Sequence, residues 1–227
     1  MTLSSLYIPF ASVALLVTSV GCGGEAATGG GRATTAGSRD TYANFADLAA
    51  HEQEGRDFTV TVADRGAPDS VFAFHGGHID SGTEKVAAAV AGRDWNSYVL
   101  VGSSYRQHVT SANFDDPRLL ELAKRSQRCV AIHGHKSDTP RICVGGSNEA
   151  ARTRVAQSLG AAGLPFEVLT HCEGLDGLMP TNPVNLCREG VQLELSGAAR
   201  DQLYADPALM DRTARSIRAA VDGAARR

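Results

Sequence analysis

The stretch VFAFHGGHIDSGTE, residues 71–84, runs four apolar residues straight into His75, Gly76, Gly77, His78 and Asp80. CVAIHGH, residues 129–135, has the same form, with an apolar run ending at His133 and a second imidazole at His135. GVQLELS, residues 190–196, carries Glu194 among alternating apolar residues. Imidazoles and carboxylates that end separate strands can converge on a metal if those strands are neighbours. His75, Asp80 and His133 would leave one position of a tetrahedral zinc open, which is the donor set of a catalytic site rather than a structural one. An open position holds a water and lowers its pKa towards roughly 7. A nearby carboxylate that does not ligate the metal then acts as general base. Glu194 is the candidate, because an unpaired carboxylate in such a strand would be costly.

Gly76 and Gly77 allow a sharp exit from the first strand, so that His75 and Asp80 can turn towards one point. Ser81-Gly82-Thr83-Glu84 has the spacing of a capping box, which makes Glu84 the partner of Ser81 and leaves it as the rival of Asp80. His78 reads as exposed or as supporting the ligands. Gly134 reads as the end of its strand, which sets His135 aside.

The elements that must position these groups follow from periodicity. DFTVTVAD alternates with period two, and VFAF, SYVLVG, CVAIHG, RICVGG, PFEVLT and GVQLELS read as further strands. NFADLAAHEQEG, the segment after Ser81, DPRLLELAKRSQ and SNEAARTRVAQSLGAAG read as helices. Asp116 with Pro117 opens the third of them, and Ser147 or Asn148 caps the fourth. Two C-terminal helices follow, the second opening at Asp206-Pro207. Strands alternating with helices predict an α/β fold: one three-layer domain with a mixed, largely parallel sheet flanked by helices. In such sheets function gathers at the carboxyl ends of the strands.

With 227 residues and 43% apolar content, the chain suits one domain with a sizeable core plus a tail. A net charge of −3 without a basic stripe argues against a nucleic-acid partner. Residues 1–21 read as a signal peptide with a lipobox-like end, Ser19-Val20-Gly21-Cys22, and are the one segment suited to a membrane. Residues 22–40, rich in Gly, Ala and Thr, read as a flexible linker, with the folded domain over 41–227. The expectation is an exported protein, a cell-envelope lipoprotein or a secreted one. Cys129, Cys143, Cys172 and Cys187 remain, an even number that suits two disulfides in an oxidising compartment. Three connectivities are possible, and the local pairing 129–143 with 172–187 is the expectation.

HGGHIDSGTE, HVTSANFDDP, VAIHGH and NLCREGVQLELS, in this order over about residues 41–203, together resemble the poly-γ-glutamate hydrolase family. The resemblance implies a carboxypeptidase-like α/β core and one zinc ion per chain held by His75, Asp80 and His133. Asp80 departs from the glutamate usual in that family. It implies Glu194 as the base, and it carries His108 and Arg188 onto positions that face substrate. Arg188 could clamp a substrate carboxylate bidentately, while His108 could orient substrate or stabilise an oxyanion. The implied substrate is a polyanionic γ-glutamyl polymer or peptide, cut at its amide bond. Two alternatives stay open: a metallo-carboxypeptidase or amidase on other peptides, and a non-catalytic extracellular binding lipoprotein.

Overall fold

The computed structural model describes residues 40–223. The expected signal segment, the lipobox-like end at Cys22 and all of the expected linker except Asp40 lie outside the described residues. The strands are β1 (Phe58–Ala63), β2 (Asp69–Gly77), β3 (Asn96–Gly102), β4 (Arg128–His135), β5 (Arg141–Gly145), β6 (Glu167–Leu169) and β7 (Glu189–Ser196). The helices are α1 (Phe45–His51), α2 (Thr83–Ala91), α3 (Pro117–Arg125), α4 (Glu149–Ala161), α5 (Gly197–Ala205) and α6 (Pro207–Asp222). Among the described residues, no helix is long and apolar enough to cross a membrane.

The strands form one sheet in the order β1-β3-β2-β4-β7-β5-β6. β3, β2, β4 and β7 run parallel in its centre. β1 is antiparallel to β3, and β5 antiparallel to β7 with β6 parallel to it. Successive side chains of a strand point to opposite faces, and both faces here are apolar. Val71, Ala73, Val130, Ile132, Val191 and Leu193 pack on α2, α4, α5 and α6. Phe72, Phe74, Tyr98, Leu100 and Ala131 pack on α1 and α3. That is why the central strands read as unbroken apolar runs, and why the fold is the expected three-layer α/β domain.

Helix entries follow local chemistry. Asp116 caps α3 by accepting from Arg118 N, with Pro117 in the first turn. Asn148, not Ser147, caps α4, and Asp206 caps α6. The capping box at Ser81 does not form. Gly82 is the residue before α2, and no side chain caps it.

The disulfides also differ from the local expectation: Cys129 pairs with Cys187 and Cys143 with Cys172. Strand order is the reason. β7 lies between β4 and β5, so Cys129 and Cys143 sit on strands that do not touch. Cys129 is in register with Gly190, just past Cys187. Cys143 is in register with Leu169, three residues before Cys172.

Candidate functional site

The parallel strands end at one edge of the sheet, and the ionisable groups meet there. Near its end β2 shifts register against β3, between Ala73 and Gly76. The chain then turns back on itself: His78 N donates to Gly102 O at 2.9 Å and Asp80 N donates to His75 O at 2.6 Å. The turn carries Asp80 across to β4, where Gly134 N donates to its Oδ2 at 3.2 Å. The His75 ring places Nε2 2.8 Å from Val109 O. A carbonyl only accepts, so Nε2 carries a proton, which leaves Nδ1 as the ring nitrogen turned to the cluster. Nδ1 lies 3.1 Å from His133 Nδ1 and 3.4 Å from Asp80 Oδ2.

One nitrogen or oxygen from each of His75, Asp80 and His133 lies within 4.8 Å of the other two. Two imidazoles and a carboxylate crowded together, one imidazole tautomer fixed by a backbone carbonyl, are the chemistry of a site for a divalent ion. Burial, and then the charge of His75, take His133 down to about 3, so its imidazole is neutral at neutral pH, the form that ligates metal. Burial pushes the Asp80 carboxyl up. The hydrogen bond and charge of His75, with His133 and the Gly134 N–H, outweigh that and hold it below its ordinary value.

Glu194 stands beside this cluster. It is in register with His133 on the adjacent strand β7 and is buried. Gln192 Nε2 donates to Glu194 Oε1 at 2.8 Å, and Asn182 Nδ2 donates to Gln192 Oε1 at 2.8 Å. Burial, followed by the charge of Asp80, pushes the Glu194 carboxyl well above the usual carboxylate range. His75, Asp80, His133 and Glu194 all line one cavity of ≈ 440 Å³. A segment after β6 forms its far wall with Leu175, Leu178 and Met179. The arrangement offers an ion site, a carboxylate held by one oxygen, and room for an extended substrate.

With this geometry established, the match to known proteins is decisive. The family model for poly-gamma-glutamate hydrolase matches residues 42–222. The chain belongs to the poly-gamma-glutamate hydrolase family. A solved bacteriophage poly-gamma-glutamate hydrolase is 28% identical and superposes with a TM-score of 0.74, covering 81% of this chain and 97% of that one. A zinc-free structure of YndL is 26% identical, with a TM-score of 0.73 over 82% and 98% of the two chains. Among curated relatives, the UPF0714 protein YndL of Bacillus subtilis is 29% identical over 167 residues, 71% of this chain. The matched part spans 66% of YndL, and 60% of the SPbeta prophage-derived YoqZ of the same organism, which is 28% identical.

Of the residues read from the sequence of this family member, His75, Asp80, His133, Glu194 and His108 all line the one cavity. His108 tilts over the His75 ring at 4.4 Å between centroids, and its Nδ1 meets Asp40 Oδ1 at 2.6 Å. Arg188 is not brought to the site. It is exposed and precedes β7, whose first residue is in register with Arg128 at the amino ends of the strands. Glu194 lies six residues further along, roughly 20 Å at strand rise. β4 continues through Gly134 to His135, against the expected stop, yet His135 does not line the cavity. His78 is exposed.

Three contributors escaped the sequence reading. Gln192 was within reach of it, since a residue two before Glu194 in a strand shares its face. Asp40 falls at the end of a Gly/Ala/Thr tract, where nothing local signals a partner 68 residues away. The wall after β6 has no motif.

Proposed function

We propose that this chain is an exported zinc-dependent amidohydrolase that cuts γ-glutamyl amide bonds, with Glu194 as general base. The observation that carries the reading is the convergence of His75, Asp80 and His133, one nitrogen or oxygen of each within 4.8 Å of the other two, in the cavity that also holds Glu194. When bound, zinc supplies a water acidic enough to ionise near neutral pH, polarises the scissile carbonyl, and adds a positive charge that offsets the burial of Glu194.

The chain's own residues do the rest. Val109 O holds His75 in the ligating tautomer. Gln192 fixes Glu194 Oε1, which leaves Oε2 to take a proton from the attacking water and return it to the leaving amine. Asp40 anchors His108 over the site, where the ring orients the substrate carbonyl.

The γ-glutamyl substrate class rests on the family and on the related bacteriophage poly-gamma-glutamate hydrolase. The two disulfides support an oxidising compartment, in keeping with the signal-like residues 1–21 and the lipobox-like Cys22. The test is release of fragments from poly-γ-glutamate and from α-linked polyglutamate, with and without chelator. Chelator-sensitive cleavage of the γ-linked polymer alone is the expected result. Cleavage of the α-linked polymer at an equal rate would defeat the substrate assignment.

A further inference from the structure

Glu84 has the reach and charge of a ligand, yet its carboxylate is not part of the donor cluster. Its Oε2 instead accepts two backbone N–H groups, Gly77 N and Gly82 N, each at 3.1 Å. These glycines are the two ends of the turn that carries Asp80. Both have positive φ, 70° and 91°, a conformation open to glycine at little cost. Their N–H groups thus point inwards to one oxygen. Glu84 is also packed against the strand exit, because a Cβ on Gly76 would lie 3.0 Å from Glu84 Cβ.

Inside the turn, Asp80 is tied by its own backbone. Its N–H donates to His75 O at 2.6 Å, and its carbonyl accepts from Thr83 Oγ1 at 2.9 Å. An aspartate has a single methylene between backbone and carboxylate, so the place of its oxygens is set by the main chain. Whatever holds the turn holds the ligand.

From this geometry we infer that Glu84 is a positioning residue: its carboxylate clamps the Gly77–Gly82 turn and so sets Asp80 against His75 and His133, without touching the ion. The inference rests on the zinc reading of the site. It predicts that a single acceptor oxygen, rather than negative charge, is what matters. Supporting residues of this kind alter metal affinity by about 10–100-fold when removed.

Zinc affinity by chelator competition, together with amide hydrogen exchange across residues 77–82 of the metal-free protein, tests it. Glu84→Ala should weaken zinc about 10–100-fold and speed exchange at Gly77 and Gly82. Glu84→Gln, whose amide oxygen can accept the same two N–H groups, should stay nearer to the unchanged protein than to Glu84→Ala in both. If Glu84→Ala does not fold, Glu84→Met, which keeps the length without the acceptor, takes its place. Unaltered zinc affinity in Glu84→Ala, or a Glu84→Gln as weak as Glu84→Ala, would overturn the clamp. A protein that takes up no zinc before any substitution would defeat the zinc reading instead. The exchange rates then decide the clamp alone, and unchanged protection in Glu84→Ala would sink it.

Discussion

His133 is the residue at which burial and chemistry meet most directly. Its ring lies edge-on to Phe74 and faces His75, with Nε2 buried and lacking a hydrogen-bond partner. A protonated ring there would be a buried charge facing the charge of His75, so burial first, and then His75, take it down to about 3. The sign of the consequence follows. The unfolded chain binds a proton on His133 below its ordinary value of about 6.5 and the folded chain does not. The stability this histidine contributes is therefore present above pH 6.5 and is lost as pH falls towards 3. For the metal-free protein, denaturant titrations from pH 6.5 to pH 4 should show this loss, on the order of 1 kcal/mol per pH unit. His133→Leu should flatten the slope, and an unchanged slope would show that His133 is not the group responsible. Glu194 acts in the opposite sense, its raised carboxyl giving stability that is lost as pH rises through its folded value. Residue types at strand ends made His75, Asp80, His133 and Glu194 legible. Arg188 lies at the amino end of β7, away from Glu194; proximity in sequence to a strand says nothing about which end of it a residue occupies.

At the scale of elements, periodicity and capping residues were enough to find nearly every strand and helix. Asp116, Asn148 and Asp206 each stop one segment and start another by a side-chain bond within three residues. Strand order was not legible, because it depends on which apolar faces pair across long separations. Placing β7 between β4 and β5 brings Glu194 beside His133, and the same placement rules out a bridge between Cys129 and Cys143. The spacing Ser81-x-x-Glu84 likewise suggested a cap, whereas two positive-φ glycines offered Glu84 better donors. A peptide map of the unreduced protein should recover bridges 129–187 and 143–172. Replacing both Cys143 and Cys172 by serine should cost about 3 kcal/mol in denaturant titration. Removing the 129–187 bridge should cost more, since it closes a separation of 58 residues rather than 29. The reverse order of costs would mean that the loops are not the source of the stabilisation.

Across the whole molecule, a sheet covered on both faces presents only its edges and strand ends to solvent, and the strand ends have become the site. The central parallel strands deliver His75, His133 and Glu194 to one rim, and the turns beyond them add Asp80 and His108. The wall after β6 begins at Cys172, which is tied to β5, the strand paired with β7 opposite Glu194. The core that fixes the fold and the groups that give it chemistry therefore share the same strands. The central claim is that Glu194 moves the proton while His75, Asp80 and His133 hold the ion. It is tested most directly by Glu194→Gln, measuring zinc content and poly-γ-glutamate cleavage on the same preparation. The account predicts zinc retained at one per chain and turnover lowered at least about 100-fold. Normal turnover with zinc bound would contradict it.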